Sequence, residues 1–124
     1  MSSPKILVAD DSRTIRTRVR QILSREGIDV IEAETGQAAL EQIYREQPML
    51  AILDINMPDT DGYGVCQELQ SQGPPWSELP IIFLTSLESH ALEMLGDKLG
   101  AYLHKPVTSQ KLLDVIHTFT VARS

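Results

Sequence analysis

Leu50-Ala51-Ile52-Leu53-Asp54 is the stretch that decides the fold. Four apolar residues run together between Pro48-Met49 and a carboxylate. The run is too short for a helix, and it lacks the alternation of a half-buried strand. It suits a strand covered on both faces, as in a parallel sheet. Outward from it, the pattern recurs. Ile6-Leu7-Val8-Ala9 ends in Asp10-Asp11-Ser12, and Ile81-Ile82-Phe83-Leu84 ends in Thr85-Ser86. Ala101-Tyr102-Leu103-His104 is a short last strand closed by Lys105-Pro106, and Ile28 to Ala33 is a partly alternating one.

Helical spacing fills the intervals. Ser12 is a good N-cap for a helix from Arg13 to Glu26, with Ile15, Val19, Ile22 and Leu23 inward and Gly27 past its end. Thr35-Gly36 opens a second helix with Ala39, Leu40 and Ile43 inward, and Pro48 marks its end. A third helix is predicted over Gly62 to Gln72, with Val65, Cys66 and Leu69 on one side, and a fourth over Glu88 to Leu99. Thr108 caps a final helix to about Ala122, with Leu112, Leu113, Ile116 and Phe119 inward. Five strands alternating with five helices predict an α/β fold, a doubly wound parallel sheet with helices on both faces. Ligands of such sheets sit beyond the carboxyl ends of the strands, where strand order reverses. Asp10, Asp11, Asp54, Thr85 and Lys105 all fall on that edge.

The 124 residues suit one domain, 1–124, and the 42% hydrophobic and 23% charged content is ordinary for a globular chain. One cysteine excludes an internal disulfide framework and a cysteine-only metal site. Apolar runs fall short of the roughly 20 residues of a membrane span, and the first residues lack a signal-peptide pattern, so the expected compartment is the cytoplasm. A net charge of −6 argues against polyanion binding by the whole surface, because phosphate contacts require clustered Lys and Arg. The expectation is a protein without membrane contact or direct contact with nucleic acid.

Three carboxylates gathered at one edge repel one another unless a cation intervenes. Mg²⁺ takes oxygen ligands, usually one or two carboxylates plus a phosphate, and keeps several waters. Asp10, Asp11 and Asp54 match that demand. Thr85 offers a hydroxyl donor and Lys105 a point positive charge. Such a site can receive a phosphoryl group, with one carboxylate as nucleophile and the other groups neutralising charge in the transition state.

These motifs, in this order, resemble the receiver domain of two-component response regulators over essentially the whole chain. The matching residues are Asp10-Asp11 in Val8-Ala9-Asp10-Asp11-Ser12, Asp54 in Leu53-Asp54-Ile55-Asn56-Met57-Pro58, Asp61-Gly62, Thr85 and Lys105-Pro106. The resemblance implies a flavodoxin-like fold with Asp54 as phospho-acceptor. It implies Mg²⁺ held by Asp10, Asp11, Asp54 and the backbone carbonyl of Asn56. Thr85 and Lys105 would contact the phosphoryl group, Thr85 and Tyr102 would form the switch, and Lys105-Pro106 would be a cis peptide. The implied partners are a sensor histidine kinase or histidine phosphotransfer domain and a downstream protein target. The protein would be a signalling module, catalysing only its own phosphorylation and dephosphorylation. Two departures stand out. Ser86 occupies a position that is often alanine, and the family commonly has two more residues between Gly100-Ala101 and the aromatic.

Two other classes fit less well. A phosphatase of the haloacid-dehalogenase type needs its nucleophile directly after the first strand and a second acid two residues on, whereas here the acids are adjacent. A flavodoxin-like flavin carrier needs a phosphate-welcoming first loop, which Asp10 and Asp11 would repel. Within the leading reading, the chain is either a stand-alone receiver or one domain of a larger regulator, hybrid kinase or diguanylate cyclase. Cys66 reads as a core residue, and His90, His104 and His117 are too far apart in sequence to suggest a metal site. The first helix carries Arg13, Arg16, Arg18, Arg20 and Arg25, of which Arg13, Arg16 and Arg20 share a stripe. That stripe is either a solvated face or a docking surface for an acidic phosphodonor domain. Trp76, in its Pro-rich loop, is either tucked over the third helix, the expected placement, or exposed for a partner.

Overall fold

The computed structural model describes residues 4–85, 101–105 and 107–123; the side chains of 101, 102, 104 and 119–123 are outside the description. Five strands, β1 (Lys5–Ala9), β2 (Asp29–Ala33), β3 (Leu50–Asp54), β4 (Ile81–Thr85) and β5 (Ala101–His104), form one sheet. Every pairing is parallel, and the order is β2-β1-β3-β4-β5. The helices are α1 (Arg13–Ser24), α2 (Gly36–Glu46), α3 (Gly62–Gln72) and a C-terminal helix (Ser109–Arg123), with a 3₁₀ turn at Trp76–Glu78. The helix expected over 88–99, His90 and Pro106 lie outside the described residues, so the described part has four α-helices against the expected five.

The apolar runs become strands because both faces are covered. Side chains alternate across a sheet. Ile6, Val8, Leu50, Ile52, Ile82 and Leu84 therefore join one core with Val19 and Leu23 of α1 and Leu112 and Ile116 of the C-terminal helix. Leu7, Ala9, Ala51, Leu53, Ile81 and Phe83 point the other way and meet Ala39 and Ile43 of α2 and Val65 and Leu69 of α3. All five residues of β3 are buried, as are all five of β4. Burying one such side chain contributes roughly 1.5–3 kcal/mol. β2 is an edge strand with its first residue exposed, which explains its mixed sequence.

Caps set where each helix begins. The Ser12 side chain accepts from the Ile15 N–H, Thr35 from Ala38 and Asp61 from Gly64. Thr108 accepts from Lys111 at 3.3 Å, as expected for the C-terminal helix. After α1, Gly27 takes φ +76°, a left-handed conformation that glycine adopts without steric cost. Trp76 is half-buried and packs edge-on against Tyr44 of α2, with ring centroids 5.1 Å apart. Its turn also lies along α3, in line with the expectation.

Two glycines bring the β3–α3 segment close to its neighbours. A Cβ on Gly62 would lie 2.6 Å from the Asp54 carbonyl oxygen, and one on Gly36 would lie 1.9 Å from that of Thr60. Neither oxygen is on a movable side chain. Gly64 differs, because its added Cβ would chiefly meet the Thr60 methyl, at 2.7 Å. Gly62→Ala should therefore lose about 1–3 kcal/mol in urea unfolding, the usual range for overpacking, and Gly64→Ala clearly less. Equal losses would show that the close approach to Asp54 is not what requires glycine.

Candidate functional site

Strand order reverses between β1 and β3, since β2 lies on one side of β1 and β4 lies beyond β3. Asp10 follows β1 and Asp54 ends β3, so the two carboxylates flank the place where this architecture opens a crevice. The Asp10 N–H donates to the Ala33 carbonyl at 3.1 Å, and the Ile55 N–H donates to that of Leu84 at 3.1 Å. The ladders thus continue one step past the strands and hold both acids in place. Asp10 is fully buried, Asp54 is 4% exposed and Thr85, ending β4, is 2% exposed. Asp11, in contrast, is exposed at the rim.

Each buried carboxylate has one oxygen fixed by a backbone amide two residues on. Asp10 Oδ1 accepts from the Ser12 N–H at 2.9 Å, and Asp54 Oδ1 accepts from the Asn56 N–H at 3.2 Å. Lys105 reaches across from the end of β5. Its Nζ lies 3.1 Å from Asp10 Oδ2 and 3.5 Å from Asp54 Oδ1. Its own N–H donates to the Thr85 carbonyl at 2.8 Å, which seats the lysine backbone beside β4. The 3.1 Å approach to Oδ2 is an ion pair without the alignment of a hydrogen bond, so this buried oxygen keeps an open acceptor site.

The electrostatics follow from burial and like charge. Burial pushes the Asp54 carboxyl above its ordinary value, and the Asp10 charge adds to this. The Asn56 amide and Lys105 offset only part of the rise. Burial alone would lower the Lys105 ammonium, but its close contact with Asp10 and the attraction of Asp10, and then of Asp54, outweigh it and hold it above an ordinary lysine. Lys105 therefore stays charged at neutral pH, whereas a charged Asp54 is held at a cost.

The cluster fits a hard cation. One carboxylate oxygen from each of Asp10, Asp11 and Asp54 lies within 4.8 Å of the others. The donors are all oxygen, one ligand residue is exposed at the rim, and a buried acceptor remains open. These are the features that a divalent oxygen-seeking ion requires. The structure thus brings together Asp10, Asp11, Asp54 and Lys105, and it places Thr85 on the same edge. Asn56 stands beside Asp54, and its amide is already bonded to the carboxylate. Tyr102 on β5 pairs in register with Phe83 of β4, but its side chain lies outside the described residues, as do Ser86 and Pro106. The Lys105–Pro106 bond, expected to be cis, therefore lies outside the described residues; within them, Pro74–Pro75 is cis.

Sequence reasoning missed several supporting residues. Asp59, at φ +60°, accepts from the Gln37 N–H at 3.1 Å and from the Thr60 N–H, tying the loop after β3 to α2. The arginine stripe of α1 is not a uniformly solvated face. Arg16 is buried and lies 3.8 Å from Glu32 and 3.5 Å from Glu34, while Arg20 pairs with Glu32 at 2.6 Å. Cys66 is buried in the core, and burial pushes its thiol up.

Residues 6–117 match the family model described as the response regulator receiver domain. The chain is 45% identical over 114 residues to a probable transcriptional regulator, ycf27, of Porphyridium aerugineum, covering 90% of this chain and 46% of that protein. It is 42% identical to the ycf27 protein of Galdieria sulphuraria over 87% of this chain and 42% of that one. The chain spans less than half the length of these curated relatives. Among solved structures, the receiver domain of Francisella response regulator 1452 is 29% identical, with a TM-score of 0.86 over 98% of this chain and 100% of that one. The chemotaxis protein CheY4 of Vibrio cholerae is 29% identical, with a TM-score of 0.83 over 94% of this chain and 98% of that one. The fold is that of a signalling receiver, and the chain belongs to the response regulator receiver domain family.

The raised Asp54 carboxyl has a consequence for stability. A carboxyl raised on folding contributes stability below its ordinary value of 3.8, and that contribution is lost as pH rises through the folded value. In EDTA at pH 7, Asp54→Asn should unfold a few degrees above wild type, the shift that about 1 kcal/mol produces in a domain of this size. Below pH 4 the gain should vanish. A variant no more stable than wild type at pH 7 would mean that the buried charge costs nothing.

Proposed function

We propose that residues 1–124 form a single receiver domain that takes a phosphoryl group onto Asp54 from a phosphohistidine donor and thereby changes a protein-binding surface. The observation carrying this reading is a buried carboxylate at the switch point, flanked on one side by Asp10 and Asp11 and on the other by Thr85 and Lys105. An Asp54 oxygen attacks phosphorus, the P–N bond to the donor imidazole breaks, and its electron pair stays on that nitrogen. Asn56 and Lys105 hold Asp54 Oδ1, which orients the carboxylate and leaves Oδ2 to attack. Lys105 balances charge as the carboxylate becomes an acyl phosphate, a mixed anhydride. The Thr85 hydroxyl donates to a phosphoryl oxygen. Hydrolysis reverses the state when water attacks the same phosphorus.

Asp10, Asp11, Asp54 and the Asn56 carbonyl would hold Mg²⁺, which when bound supplies charge neutralisation on the transferring group. Thr85 and Tyr102 would carry the change to the face around β5 and the C-terminal helix. The donor is a sensor histidine kinase or histidine phosphotransfer domain, and the output is a protein target. This chain's own surface, at net charge −6, is read as making no direct nucleic-acid contact. The relatives' naming as transcriptional regulators adds a DNA-directed output to the reading wherever a receiver of this kind sits in a longer protein. Among the described residues no helix is long and apolar enough to cross a membrane, and a cytoplasmic site suits a kinase partner.

Incubation with acetyl phosphate and Mg²⁺, followed by intact-mass measurement, should add one phosphoryl group to wild type and none to Asp54→Asn or to wild type in EDTA. A phosphoryl group on Asp54→Asn would move the acceptor elsewhere, and full-rate labelling in EDTA would remove the metal. By calorimetry, Asp11→Ala should bind Mg²⁺ at least about tenfold more weakly than wild type, in the range of losing a carboxylate ligand. Equal affinity would take Asp11 out of the site.

A further inference from the structure

Of the arginines on α1, Arg16 and Arg20 face the carboxylates of Glu32 and Glu34. Arg18 does something else. Its Nη1 donates to the backbone carbonyl of Val107 at 2.9 Å, across 89 positions of sequence. Val107 is fully buried, and it lies two residues past Lys105. Upstream, the Lys105 N–H is bonded to the Thr85 carbonyl at 2.8 Å. The lysine is therefore held on both sides, by a strand carbonyl before it and by a guanidinium from another element after it.

We propose that Arg18 is a positioning residue for phosphoryl transfer, acting through Lys105; this rests on the role of Lys105 given above. A lysine side chain is a point charge on a flexible four-carbon stem, so where it ends depends on where its backbone is fixed. Lys105 must serve two carboxylates at once, and its 3.5 Å reach to Asp54 leaves little slack before the pair is lost. A guanidinium donates from a rigid planar fork, which suits it to pinning a carbonyl. An exposed arginine on a helix has many solvated positions open to it. This one is committed instead to the carbonyl of a fully buried residue next to the lysine-bearing turn.

The test compares labelling rates by acetyl phosphate in Mg²⁺ for Arg18→Met, Arg18→Lys, Lys105→Met and the Arg18→Met/Lys105→Met double variant. Misplacing a reacting group by about 1 Å costs up to roughly 10²-fold, and loss of one of two anchors should cost about three- to tenfold. Arg18→Met should show that loss, and Arg18→Lys should recover only part of it, because its donor sits on a flexible stem. On the Lys105→Met background, Arg18→Met should add nothing, because coupled residues do not act independently. Amide exchange at Lys105 should also quicken in Arg18→Met, while the amides of β3 stay protected. Wild-type labelling by Arg18→Met, an equal loss on both backgrounds, or unchanged exchange at Lys105 would overturn the inference. Lys105→Met labelling at the wild-type rate would instead sink the role of Lys105 itself, whereas a slow Lys105→Met beside an unimpaired Arg18→Met sinks only the positioning.

Discussion

The Lys105 ammonium between Asp10 and Asp54 is the interaction on which the rest of the site depends. Two carboxylates on neighbouring strands, both removed from water, cannot both stay charged without a cation. Lys105 supplies one from the end of β5, at 3.1 and 3.5 Å. The lysine thus joins β1, β3 and β5 across the width of the sheet, although β5 touches neither of the other two strands. Burial, and then residual repulsion from Asp10, still show in the raised Asp54 carboxyl. A carboxyl at position 54 that gains from being neutralised is thus built into the site.

The scaffold places these charges with short connections. One hydrogen bond beyond β1 and one beyond β3 fix the backbones of Asp10 and Ile55, and a third seats Lys105 beside Thr85. Gly62 lets α3 begin against the Asp54 carbonyl, so the loop after Asp54 stays close to the sheet. Asp59 ties that loop to the start of α2. Arg18 reaches from α1 to the turn after the lysine. Asp54 and its counter-charge are therefore held by elements from both faces of the sheet.

Much of this was legible in the residues themselves. Apolar runs such as Leu50–Leu53 announce buried parallel strands, because only a doubly covered strand tolerates four in succession. The polar residue that ends each run then lands on one edge, which is how Asp10, Asp54, Thr85 and Lys105 could be assembled without coordinates. What escaped were contacts between elements. The burial of Arg16 depends on where β2 runs beside α1, and no periodicity along α1 encodes that. The Arg18–Val107 bond joins residues far apart in the chain. Gly62 reads as a helix opener until the Asp54 carbonyl is seen 2.6 Å from where its Cβ would be. The sequence places the start of β2 at Ile28, one residue before its observed start at Asp29, because an edge strand has a mixed pattern that blurs its start.

The most direct test is the unfolding free energy of Lys105→Met against wild type, measured by urea titration in EDTA and again in saturating Mg²⁺. Removing one partner of a buried ion pair leaves uncompensated charge, at a cost of about 3 kcal/mol. The expected result is a loss of that order in EDTA, with Mg²⁺ stabilising the variant more than it stabilises wild type, since a cation then fills the role the ammonium left. A variant as stable as wild type in EDTA, or an identical Mg²⁺ increment in both proteins, would contradict the view that Lys105 holds Asp10 and Asp54 together.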